Sequence, residues 1–174
     1  MELYDVNSLY ISKLTTRNYS TSFSMGVGIL KKEYRLPIYA IYGFVRFADE
    51  IVDTFHDHRQ EELLKDFRKE TFDAIERGLS TNPILHSFQW VVNTYRIGHD
   101  LIHAFLDSME MDLTDKEHDE ESFKKYVYGS AEVVGLMCLR VFYHHDDEGY
   151  ESLIYPARKL GEAFQKINFL RDIR

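Results

Sequence analysis

Residues 46–53 read RFADEIVD, an arginine followed by acids at 49, 50 and 53 in a stretch that is otherwise apolar. On a helix, side chains four apart share a face and lie about 6 Å from one another along the axis. Like charges one turn apart repel, so as a purely structural feature the pair Asp49 and Asp53 is unfavourable. A divalent cation bridging both carboxylates removes that penalty, and oxygen is the donor that Mg²⁺ takes. Residues 168–172, NFLRD, repeat the arrangement: Asn168 and Asp172 are oxygen-bearing side chains one turn apart, with Arg171 beside them. Metal ions and arginines together are what a diphosphate group needs. A solvated helix face is the alternative for either pair taken singly, and residue types alone leave both readings open.

Helices must position these groups. Around the first motif, Leu36, Ile38, Ala40, Ile41, Phe44, Val45, Phe47, Ala48, Ile51 and Val52 cover most of a helical circumference, the pattern of a buried helix. The remainder, Tyr39, Tyr42, Arg46, Asp49 and Asp53, falls on one face at spacings of three and four. In the last segment Leu160, Ala163, Phe164, Ile167, Phe169, Leu170 and Ile173 are apolar, while Gly161, Gln165, Asn168 and Asp172 share a face. Two such helices suggest a cavity between them.

The rest of the chain also suits a helical period. Helices are predicted over residues 5–17, 25–30, 34–55, 56–78, 81–98, 100–111 and 122–143, and from Tyr150 or Pro156 onward. Pro37 falls near a helix start, where its missing N–H costs little. Thr81 or Asn82 is the expected cap of the helix that follows it. NYSTSF, DLTDKEHDEE and HHDDEG read as breaks. No repeat, linker or low-complexity tract occurs, so residues 1–174 read as one all-α domain. The pattern runs to Arg174 without a cap, glycine or proline, which leads to the expectation of the N-terminal part of a longer domain.

Composition narrows the function classes. With 44% hydrophobic and 14% aromatic residues, the chain supports a packed core. A net charge of −8 disfavours nucleic acid as a partner. The single cysteine, Cys138, forms no disulfide framework or cysteine metal site and fits a reducing, cytoplasmic setting. No signal peptide or membrane-spanning stretch is read, although a lipophilic product is compatible with peripheral membrane association. Nothing in the sequence sets an oligomeric state.

Other signals are weaker. His99 and His103 have a zinc-compatible i,i+4 spacing but lack the glutamate of a zinc hydrolase motif. No histidine follows a glutamate by three residues, so a di-iron bundle is excluded. Cys138 sits in an apolar run and reads as packing.

Four blocks, STSFSMGVGIL, YAIYGFVRFADEIVD, YVYGSAEVVGLM and ARKLGEAFQKINFLRDIR, resemble in order the signatures of the squalene/phytoene synthase family, the head-to-head prenyl transferases, with a flavour nearest bacterial phytoene synthases. The resemblance implies an isoprenoid-synthase-type helical bundle around a central apolar cavity, with prenyl diphosphates as substrates. It implies that Asp49, Asp53, Asn168 and Asp172 hold Mg²⁺, with Mn²⁺ as the substitute ion. Tyr42, Arg46, Tyr128 and Arg171 match polar positions around the diphosphates, and Ser20, Ser22 and Phe23 match the block that meets the diphosphate and the start of the chain. Gln165, Val134 and Gly135 match cavity positions, and Tyr39 joins Phe23 as a candidate for cation–π stabilisation of a carbocation.

The implied reaction is condensation of two geranylgeranyl diphosphates, through a cyclopropyl diphosphate, to phytoene in carotenoid biosynthesis, with no NADPH. Squalene or dehydrosqualene synthesis from farnesyl diphosphate is the alternative. The family's second motif continues to a further aspartate four residues past Asp172, and its later helices do not appear in these 174 residues. Activity of the 174 residues alone is therefore doubtful by this comparison, and a helical binding module is the non-enzymatic alternative. A cyclising terpene synthase fits worse, because its second motif is not of the NFLRD type.

Overall fold

The computed structural model describes residues 1–114 and 119–172, with the helical backbone alone for 168–172. Among the described residues every regular element is helical, and no helix is long and apolar enough to cross a membrane. They group into two compact units, Met1–Arg96 and Ile97–Arg174.

The first unit contains α1 (Leu3–Tyr19), α2 (Thr21–Ile29), α3 (Lys32–Asp53), α4 (Gln60–Arg77) and α5 (Pro83–Tyr95). Helix α3 packs on α1 and α5, and α4 covers α3 and α5. The Phe44 ring lies face to face with Phe88 at 3.8 Å and with Phe67 at 5.5 Å. Leu9, Ile41, Leu64, Ile84 and Leu85 are sealed around them. Each such side chain contributes roughly 1.5–3 kcal/mol by leaving water. Gly43 permits the approach of α1: a Cβ there would stand 3.0 Å from Ser12 Oγ. That hydroxyl is itself paired with Ser87 Oγ at 2.7 Å, so both hydroxyls are satisfied.

The second unit contains α6 (His99–Thr114), α7 (Glu120–Val127), one turn of π-helix (Tyr128–Glu132), α8 (Val133–Phe142) and α9 (Asp147–Asp172). The π turn is contacted by α6, α7, α8 and α9.

The observed boundaries differ from the predicted ones where short polar residues act as caps. NYSTSF shrinks to Ser20, which ends α1 and caps α2 by accepting the Phe23 N–H at 3.3 Å. In HHDDEG, Asp146 Oδ1 accepts the Gly149 N–H at 2.8 Å, so α9 starts at Asp147. Asn82 caps α5, accepting from Ile84 and Leu85 at 3.0 and 3.4 Å, and Arg96 ends it at φ 54°. Helix α6 runs to Thr114 and Asp119 caps α7, which shortens the acidic loop; Asp115, Lys116, Glu117 and His118 lie outside the described residues. Pro37 sits one turn inside α3, and the carbonyl its N–H would have met belongs to Glu33, which is exposed to water.

Candidate functional site

Each unit carries one of the two polar stripes. On α3, residues 37–41, 43, 44, 48, 51 and 52 are buried, which leaves the face of Tyr42, Arg46, Asp49 and Asp53 partly or fully accessible. Arg46 is the centre of this face. It bonds the Glu50 carboxylate one turn on, and its Nη1 lies 3.8 Å from Asp49 Oδ2. Its guanidinium carbon stands 4.7 Å from the centre of the Tyr19 ring, within cation–π range. Its Nε–H is buried without a hydrogen-bond partner. Desolvation disfavours the cation, yet Glu50, Asp49 and Asp53 outweigh it and hold the Arg46 pKa above its ordinary value. The Arg46 bond in turn holds the Glu50 carboxyl below the usual range, against its partial burial.

Tyr42 connects α3 to α2. Its ring stacks on Phe23 at 4.8 Å, and its hydroxyl meets the Ser20 side chain. Partial burial raises the phenol above its usual value, opposed by Arg46. Ser20, Phe23, Tyr42, Arg46 and Asp49 are thereby brought to one region, with Asp53 exposed at the end of the same helix. Ser22 is exposed on α2. Tyr39 is 4% exposed and donates to the Ser24 carbonyl at 3.3 Å, so its ring is part of the core of this unit.

The candidate residues of the second unit lie on the π turn, α8 and α9. The amide of Gln165 donates to Ser130 Oγ at 3.4 Å. The Arg158 guanidinium carbon is 5.0 Å from the Tyr128 ring centre, and Arg158 Nε donates to Glu132 Oε2 at 2.5 Å. Val134 and Gly135 lie half-buried on α8, with the Ala157 carbonyl of α9 3.5 Å from where a Cβ on Gly135 would be. The side chains of Asn168, Arg171 and Asp172 lie outside the described residues.

Four further residues shape these faces. Tyr19 touches both Arg46 and Glu50; its place directly before the Ser20 cap was the available signal. Ser130, Glu132 and Arg158 act across 26 residues or more, and no local spacing announces them. Histidines 99 and 103 sit exposed on α6, and no group of three or more His, Cys, Asp or Glu side chains converges among the described residues.

The α3 donor set suits Mg²⁺, which takes one or two carboxylates and completes its shell with water and phosphate oxygens. Asp49 and Asp53 provide carboxylates one turn apart, and the orphaned Arg46 N–H beside them is a donor suited to an anionic oxygen.

Residues 16–174 match the family model described as squalene/phytoene synthase. A presqualene diphosphate synthase of Rhodopseudomonas palustris is 29% identical over 157 residues, which cover 88% of this chain and 54% of that protein. A 4,4'-diapophytoene synthase of Staphylococcus haemolyticus is 27% identical over 163 residues, 90% of this chain and 55% of that one. The chain thus spans about half the length of the curated relatives it matches. In fold it is similar to a dehydrosqualene synthase crystallised with ligand, with a TM-score of 0.83 and 24% identity over 96% of this chain and 57% of that one.

Proposed function

Because the chain belongs to the squalene/phytoene synthase family, we propose that its function is the head-to-head condensation of two prenyl diphosphates. The observation that carries this reading is the α3 face, where a buried, unpartnered Arg46 N–H stands beside carboxylates one turn apart. Arg46 binds a diphosphate oxygen, and Asp49 and Asp53 hold Mg²⁺, or Mn²⁺ in its place. Asn168 and Asp172 are the second ligand pair, with Arg171 as a further diphosphate contact. When bound, the metal supplies positive charge against the departing diphosphate. In the first unit Ser20, Ser22 and Tyr42 orient a headgroup and Phe23 packs on the first carbons of its chain; in the second unit Tyr128, Val134, Gly135 and Gln165 are the substrate contacts.

Departure of the first diphosphate leaves an allylic cation. The double bond of the second molecule attacks it, and loss of a proton closes a cyclopropyl diphosphate. Apolar helices keep water from that cation. Relatives named for presqualene diphosphate and diapophytoene favour farnesyl diphosphate as substrate, whereas the motif flavour favours geranylgeranyl diphosphate and phytoene. Incubating the full-length protein with Mg²⁺ and each diphosphate, with products read by mass spectrometry, decides between them. The expected result is one condensed product of twice the substrate's carbon number; no condensed product from either substrate would sink the proposal.

A further inference from the structure

The π turn at Tyr128–Glu132 is an uncommon element, one that tends to mark functional positions. Two close approaches hold it. On one side Gly129 meets α6 so tightly that a Cβ would stand 2.3 Å from the Ala104 carbonyl oxygen. On the other, Gly161 of α9 would place a Cβ 2.9 Å from the Ala131 carbonyl oxygen and 3.0 Å from Glu132 Cα. The backbone at both ends of the turn is therefore fixed by glycine contacts.

The Glu132 side chain, only 10% exposed, points to α9, where its carboxylate accepts from Arg158 Nε at 2.5 Å. A carboxylate this buried needs such a partner. Hydrogen bonding to Glu132 holds the Arg158 pKa above its ordinary value, so the cation persists. The cations nearby are engaged elsewhere: Lys159 and Lys166 both bond Glu162, at 2.7 and 2.6 Å, and Lys124 bonds Glu120 at 2.6 Å. Arg158 then reaches the Tyr128 ring at 5.0 Å. A cleft of about 320 Å³ is lined by Tyr128, Glu132 and Arg158 together with these lysines and acids.

We propose that Glu132 and Arg158 form a positioning pair for Tyr128, fixing the orientation of its phenol at the cleft wall. The chain of restraint runs from the π turn to Glu132, from Glu132 to Arg158, and from Arg158 to the Tyr128 ring. The functional consequence rests on the reading of Tyr128 as a diphosphate-site residue. A simple clamp between α9 and the π turn would contribute to stability alone.

The test uses the full-length protein with fluorotyrosine placed at 128, read by fluorine NMR. Arg158→Met alone leaves Glu132 buried and unpaired, so the double variant Glu132→Gln with Arg158→Met accompanies it and removes both charges at similar volume. Helix content by circular dichroism checks folding. The expected result is a displaced resonance in both variants, a kcat lowered by up to about 100-fold, and an unchanged KM. In a Tyr128→Phe background, Arg158→Met should add no further loss, because both act through one hydroxyl. An unmoved resonance, or losses that add fully, would overturn the positioning role. A wild-type protein that makes no condensed product overturns the functional reading instead, and the resonance then decides on the pair by itself.

Discussion

The packing around the π turn yields a pair of glycine substitutions with opposite expected signs. At Gly129, an alanine Cβ would lie 2.3 Å from the Ala104 carbonyl oxygen and 2.7 Å from Ser108 Cβ. Ordinary contact begins at 3.4 Å, so α6 must withdraw by about 1 Å, the nearest obstacle being a backbone oxygen. Overpacking of this kind costs about 1–3 kcal/mol, with the upper end appropriate to a backbone obstacle. Alanine returns at most about 1 kcal/mol in chain entropy, which leaves Gly129→Ala destabilised by about 2 kcal/mol. At Gly135, the nearest atom is the Ala157 carbonyl oxygen at 3.5 Å, an ordinary contact. Gly135→Ala therefore keeps its propensity gain of up to about 1 kcal/mol. For a chain of this size, 1 kcal/mol is about 2–4 °C in Tm. Thermal unfolding followed at 222 nm should show Gly129→Ala about 4–8 °C below wild type and Gly135→Ala up to about 4 °C above it. A Gly129→Ala midpoint at or above wild type would refute the close approach of α6, and with it the anchoring of Tyr128.

Three other outcomes are expected. Asp53→Asn should abolish Mg²⁺-dependent diphosphate release from prenyl diphosphates while leaving helix content intact, since Asp53 is exposed at the end of α3; retained turnover would remove it from the metal site. His86→Ala breaks the 2.8 Å contact of His86 Nε2 with Asp5 Oδ1 and the Ser80 N–H bond to Nδ1, for an expected loss of about 2 kcal/mol in urea unfolding. The His86 bond lowers the Asp5 pKa from 3.8, so the Asp5 contribution is complete above pH 3.8 and is lost as pH falls through the folded value; a wild-type–mutant gap that widens there would contradict this. Cys138 is half-buried and its thiol is pushed up to about 12 by desolvation, so it should react with iodoacetamide at pH 8 more slowly in the native protein than once unfolded; equal rates in the two states would contradict that desolvation.

What the sequence made legible was the part governed by local spacing. The apolar circumference around RFADEIVD forecast α3, and spacings of three and four placed Tyr42, Arg46, Asp49 and Asp53 on its accessible face. The same spacing could not separate Tyr39 from that set, because its fate depends on the Ser24 carbonyl of α2 fifteen residues earlier. Breaks were overdrawn for a related reason: serine and aspartate suit loops and helix caps equally, and only the N–H acceptance by Ser20 and Asp146 distinguishes them. The π turn was invisible within YVYGSAEVVG because its cause lies outside it. The close approaches at Gly129 and Gly161 involve α6 and α9, and the Glu132 partner is 26 residues away.

Glu50, the acid whose role spacing left open, is accounted for by its bond to Arg46, and this bears on how the α3 face can bind an anion. Arg46 is the cation of that face, and Glu50 already takes its strongest hydrogen bond. Asp49 and Asp53 then remain with a share of one positive charge between them, so three carboxylates stand against one guanidinium. A diphosphate approaching this face alone would meet net negative potential, with the Arg46 N–H groups that Glu50 does not take set against it. A divalent cation at Asp49 and Asp53 would cancel the net negative charge of the face. It also removes the like-charge repulsion between residues one turn apart. On this reasoning diphosphate affinity should depend on the divalent cation more steeply than on Arg46. Titration of inorganic diphosphate by calorimetry, with and without Mg²⁺, reads that dependence; equal affinity in both would mean that Arg46 alone carries the anion.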